Sequence, residues 1–126
     1  MTSLDQELVA AARDIIGRRQ KPDWHQVGCA LRTRSGRVFQ AVHLEAFVGR
    51  IAVCAEAVAL GMGAAEGDTE IEAIVAVNCA GDVVAPCGMC RELISDYAPD
   101  ARVIVPGELG PELVSIAALL PNKYAR

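Results

Sequence analysis

Four side chains in this sequence could do chemistry at close range. They are Cys54 and Glu56 in "VCAEAVAL", and Cys87 and Cys90 in "PCGMCRE". Thiolate is a preferred ligand of zinc, and a catalytic zinc keeps three protein ligands and one open position. Cys54, Cys87 and Cys90 supply three ligands, and no fourth stands obviously near them. One Zn²⁺ with three thiolates already carries net negative charge. The partial positive charge of helix N-termini suits such a centre, and thiolate pKa values fall there. Mid-helix, residues two apart point to opposite sides; in a first turn both converge just beyond the helix end. Cys54 can then bind a metal while Glu56 takes a proton from water and passes it to a leaving group. That is the machinery of hydrolytic deamination.

Each residue alone has a plainer reading. C-x-x-C serves a thioredoxin-type redox pair as well as a metal. Cys54 alone reads as a small buried hydrophobe, and Glu56 alone as a first-turn acid facing the helix dipole. Together with Pro86, Gly88 and Arg91 the pattern is far more specific. Cys29 and Cys79 fall in expected strands and are assigned to packing.

The elements that must position these groups are legible in outline. Ser3 reads as an N-cap, with Gln6 completing a capping box, and Leu8, Ala11, Ala12, Ile15 and Ile16 give the first helix an apolar face. Pro22 ends it. "VGCALRT" (27–33) and "RVFQAVHL" (37–44) flank a hairpin turn at Arg34-Ser35-Gly36. An alanine-rich helix is expected from Cys54 towards Gly67, and a central, two-sided strand over "IEAIVAVNC" (71–79). "PCGMCRELISDYAP" reads as a turn into a third helix, "RVIV" as a fourth strand and "PELVSIAALL" as a last helix. The order αββαβαβα implies helices on both faces of one mixed sheet. Both thiol motifs then open helices.

At 126 residues the chain suits one domain spanning 1–126. With 52% hydrophobic and 22% charged residues it is not a disordered polymer, and its apolar content favours burial between subunits. A net charge of −4 without a basic block argues against nucleic acid or an anionic membrane as partner. No apolar run reaches the roughly 18 residues of a membrane span. Five cysteines and an acidic, amphipathic start, "MTSLDQELVAAARD", lead to the expectation of a reducing cytoplasm.

"CAE" followed by "PCGMCR" resembles the cytidine deaminases of the three-cysteine, homotetrameric type, and the related blasticidin S deaminases. "VGCALRTRSGRVF" is similar to that family's hairpin, and "LLPNKY" to its aromatic-bearing end, so the resemblance covers nearly the whole chain. It implies a three-layer α/β/α fold with a mixed five-stranded sheet, a Zn²⁺ cofactor, a homotetramer and a small nucleoside or base as substrate. Zinc deaminases share a non-ligand glutamate that shuttles protons. Carried over residue by residue, Cys54, Cys87 and Cys90 hold zinc and Glu56 moves protons. The backbone at Ala55 and Pro86 contacts the amino-pyrimidine edge, and Tyr124 closes over substrate.

Departures from the family pattern bear on substrate. The N-x-E pair that reads the sugar is here His43-Leu44-Glu45, at the same offset from the first zinc cysteine. The phenylalanine that packs on the nucleoside is His25, beside Trp24. For His43 the plain alternative is a strand-end histidine bonded to its own loop; for His25 it is a structural role, and for Tyr124 a frayed end. The arginine that follows the catalytic glutamate is Ala57, which leaves Arg91 to compensate charge around the thiolates. Loop length sides with cytidine deaminase, whereas "CAEAVALG" and "LLPNKY" side with the blasticidin type. The expected activity is deamination of cytidine, deoxycytidine or a related cytosine nucleoside. The alternatives are a nucleoside antibiotic or free aminopyrimidine as substrate, and a zinc-stabilised binding module without turnover.

Overall fold

A computed structural model describes residues 1–126. Helix α1 (Ser3–Arg19) is followed by strands β1 (Val27–Thr33) and β2 (Val38–Val42), then α2 (Ala55–Ala65), β3 (Ile71–Asn78), β4 (Val83–Val84), α3 (Gly88–Tyr97), β5 (Arg102–Gly107) and β6 (Gly110–Ser115). The main sheet order is β2-β1-β3-β5-β6, with β4 paired to β3 off that path. β5 runs parallel to β3 and the other pairings are antiparallel, which makes the sheet mixed. The fold is the three-layer α/β/α type, with five strands in the main path and one short addition.

Strand alternation sorts the core into two layers. Cys29 and Leu31 of β1 pack with Ala55, Ala59 and Leu60 of α2 and Cys90 and Ile94 of α3. Ala30 faces the opposite way, with Val75 and Val77 of β3, against Leu8, Ala12 and Ile16 of α1. Gly28 lets α1 sit close: a Cβ there would lie 2.7 Å from the Ala12 carbonyl oxygen and 2.8 Å from Ile16 Cβ.

Two expectations require correction. The capping box is shifted by one residue, to Thr2 and Asp5 rather than Ser3 and Gln6. Asp5 wins because its carboxylate does two jobs: Oδ2 accepts from the Thr2 amide at 2.9 Å, and Oδ1 accepts from Arg32 on β1 at 3.0 Å. The expected last helix over "PELVSIAALL" is instead strand β6 and a 3₁₀ turn, Ala117–Leu119. Gly107 and Gly110 bracket a two-residue turn, and pairing with β5 satisfies six consecutive backbone positions that a helix would leave bare. The dipeptide strand β4 has no periodicity to reveal it and was not expected.

The buried Asp5 carboxyl carries a pH signature. Burial works to raise its pKa, but the Thr2 amide and the Arg32 guanidinium outweigh it and hold it below its ordinary value. A depressed carboxylate stabilises the fold above its unfolded pKa of about 3.9, and that contribution disappears as pH falls through the folded value. Asp5→Asn should cost about 1–3 kcal/mol near neutral pH, and the gap from wild type should narrow below about pH 4. Urea denaturation across that range measures both; a gap independent of pH would reject the assignment.

Candidate active site

The ends of α2 and α3 meet at one end of the sheet. Cys54 is the N-cap residue of α2 and Cys87 that of α3, both with extended backbone, and Cys90 is the third residue of α3. Their three sulfurs lie within 4.8 Å of one another, with Cys54 Sγ and Cys87 Sγ 3.6 Å apart, and none forms a disulfide. Tetrahedral zinc with bonds of roughly 2.3 Å sets its sulfurs about 3.8 Å apart. The donor set and its spacing therefore fit zinc, with three protein ligands.

Burial and mutual proximity set the proton affinities of these groups. Burial raises the Cys54 thiol, with the Cys87 thiol adding to it. Burial, then the Glu56 and Cys54 charges, push Cys90 far above the ordinary thiol range. Burial also acts to raise Cys87, but the amides of Cys90 and Met89 and the neighbouring thiols leave it lowered. Glu56, only 7% exposed, is raised by burial, with its own amide and the Cys90 thiol opposing. A divalent cation inverts this balance for thiols that ligate it.

A cleft of about 550 Å³ opens on the cluster. Cys54, Ala55, Glu56 and Cys87 line it together with His43, Arg50 and apolar side chains that include Val27, Val53, Val84 and Met89. The isolated bridge between Leu44 and Val53, bonded both ways at 2.9 Å, pins the ends of the 45–52 loop and so brings His43 to Cys54. His43 Nδ1 accepts from the amides of Gln26 at 2.8 Å and Val27 at 3.3 Å. The proton of the neutral ring is thereby assigned to Nε2, which leaves a hydrogen-bond donor for the cleft.

The other expected substrate contacts stand apart from this lining. His25 Nδ1 donates to the His43 carbonyl at 2.9 Å, and Trp24 stacks edge-on against Phe47 at 5.4 Å. Glu45 turns an oxygen onto the Ala46 amide at 3.0 Å. Pro86, next to Cys87, is buried, and Tyr124, 78% exposed, lies beside Glu92 and Asp96 on the outer side of α3. Arg91 bonds two carbonyl oxygens, of Pro86 at 2.8 Å and Leu119 at 3.2 Å. Arg50 also lines the cleft. Val84 and Met89 were not foreseen. Val84 is placed by β4 pairing with β3, and Met89 lies inside the C-x-x-C turn, where only its neighbours signalled a site.

The family model for the cytidine and deoxycytidylate deaminase zinc-binding region matches residues 2–106. The chain belongs to this deaminase family. Among family relatives, the blasticidin-S deaminase of Bacillus cereus is 45% identical over 97% of this chain and 93% of its own length. A cytidine deaminase of Halalkalibacterium halodurans is 30% identical over 79% of this chain and 76% of its own length. The crystal structure of cytidine deaminase from Mycobacterium leprae superposes with a TM-score of 0.83 at 28% identity, covering 97% of this chain and all of that one. That from Burkholderia pseudomallei gives 0.82 at 29% identity, covering 98% and 100%. As a member of the family the chain is a zinc-binding deaminase, and its thiol cluster is the group suited to the metal.

Because site formation and metal binding are linked, purified protein should carry about one zinc per chain. Cys87→Ala should lose that zinc and melt at lower temperature. Full zinc occupancy in the variant, read by elemental analysis, would remove Cys87 from the ligand set.

Proposed function

We propose that this deaminase replaces the exocyclic amine of a cytosine nucleoside with oxygen and releases ammonia, as a single catalytic domain. The observation that carries the reading is the convergence of three thiols beside a buried carboxylate, with Cys54, Cys87 and Glu56 opening into one cleft. Cys54, Cys87 and Cys90 would hold zinc, which supplies Lewis acidity that makes water nucleophilic near neutral pH. Glu56 takes one proton from the attacking water and delivers it to the ring nitrogen, where it stays, then carries the second, from the new hydroxyl, to the departing amine, which leaves as ammonia. A carbon–oxygen bond forms as the carbon–nitrogen bond breaks. The Ala55 amide, in the first turn of α2 where helical N–H groups lack intrahelical acceptors, reads the base edge. The resemblance gives the Pro86 carbonyl, which accepts from Arg91, the further role of receiving the amine.

A nucleoside antibiotic of the blasticidin S type is the favoured substrate, and cytidine or deoxycytidine the second reading. Identity with the B. cereus enzyme extends over nearly the whole chain. The sugar side also departs from an asparagine–glutamate reader: His43 is fixed as a donor, and Glu45 is turned to its own loop. A pocket built for one hydroxyl pattern discriminates against others, since unmatched buried polar groups cost binding.

The cleft rim is apolar and exposed: Phe47 is 96% accessible, with Val48, Ile51 and Met89 also largely uncovered. Such a patch supports a homotetramer, in which Tyr124 of one subunit closes the site of another. No helix is long and apolar enough to cross a membrane, and we assign the enzyme to the cytoplasm, without nucleic acid or membrane as partner.

Ammonia release from blasticidin S, cytidine, deoxycytidine, cytosine and isocytosine tests the assignment. Blasticidin S should give the highest kcat/KM, and Glu56→Gln should lower turnover by about 10²–10⁴ while keeping zinc. A zinc-stabilised binding module would show no turnover in wild type. His43→Asn should improve cytidine relative to the antibiotic; an unchanged ratio would dismiss His43 as a sugar reader.

A further inference from the structure

Arg91 forms no ion pair, since the five in the chain involve other cations. Its half-buried guanidinium instead joins two segments distant in sequence. Nε donates to the Pro86 carbonyl, next to Cys87, and a terminal nitrogen donates to Leu119 at the end of the 3₁₀ turn. Leu119 packs on the core layer that contains Cys90, and Lys123 further along pairs with Asp96 of α3. The C-terminal segment thus lies along α3 with one anchor at each end, and the inner anchor adjoins two thiols.

We propose that Arg91 is a positioning residue that couples the zinc-ligand turn to docking of the C-terminal segment, a role that rests on the zinc reading of the thiol cluster. Zinc held by Cys87 and Cys90 fixes both the Pro86 carbonyl and the helical turn that carries Arg91, and so presents the fork to Leu119. Coupling is reciprocal: a docked C-terminal segment slows zinc loss, and bound zinc protects the segment. The guanidinium fork is what the role requires. A lysine ammonium keeps the charge but is a point donor on a flexible stem, and it cannot span the two carbonyls in a fixed plane. Compensation of thiolate charge alone would be satisfied by either cation.

The test uses the intact zinc-loaded protein, with Arg91→Lys and Arg91→Gln variants checked for folding by circular dichroism. Zinc transfer to a chromogenic chelator and tryptic cleavage after Lys123, read by mass spectrometry, are followed as rates. Both variants should release zinc and be cleaved about tenfold faster than wild type, the loss of charge-assisted bonds setting that scale. Stripping zinc should accelerate cleavage after Lys123 in wild type and leave Arg91→Lys unchanged. Wild-type rates in Arg91→Lys, with faster zinc loss only in Arg91→Gln, would overturn the clasp in favour of charge compensation. Zinc-independent cleavage of wild type would overturn the coupling without any variant. Absence of zinc from freshly purified wild type would instead strike at the proposed function, and cleavage after Lys123 that added zinc does not slow would then also reject the clasp.

Discussion

Three sulfurs that become anionic on binding a metal must be held within 4.8 Å of one another, beside a buried carboxylate. Burial disfavours the charged forms of Cys54, Cys90 and Glu56 and raises all three. The chain meets this constraint by directing two helix N-termini at one point, where backbone amides favour negative charge. Everything on the far side of α2 and α3 serves to keep those two ends from drifting apart. Ala55, Ala59 and Ala98 are small residues in the layer beneath them, and Ile94 locks α3 onto the sheet.

The side of the cleft that His43 lines is held by a different device. The loop from 45 to 52 could wander, but the Leu44–Val53 bridge ties its two ends, and the first amides of β1 fix the His43 ring. His25 supports the same peptide from behind through the His43 carbonyl. The placement of His43 in the cleft thus depends on backbone groups whose positions follow from strand pairing. The chemistry at Glu56 belongs to the helix end.

Much of the site was readable before any fold was known, because metal chemistry restricts residue type and spacing severely. Cys54, Glu56, Cys87 and Cys90 announced themselves by thiol count and by the carboxylate two residues after a helix-opening cysteine. Strands β1, β2, β3 and β5 and the three helices were equally plain from periodicity and from Pro22. Tertiary pairing decided the rest. The segment 110–119 has a pattern that suits either helix or strand, and the open edge of β5 selected strand. Asp5 displaced Gln6 from the capping box because Arg32 was waiting on β1. Arg91 looked like a counter-charge for thiolates, yet its partners are carbonyls of residues 86 and 119, a pairing no local spacing encodes. His43 could be named from its offset to Cys54, but its role as a donor came only from two amides seventeen and sixteen residues earlier in the chain. Sequence determined which atoms could do the chemistry. The directions in which the polar groups around them donate and accept were left to the sheet, since hydrogen-bond direction depends on neighbours that only folding supplies.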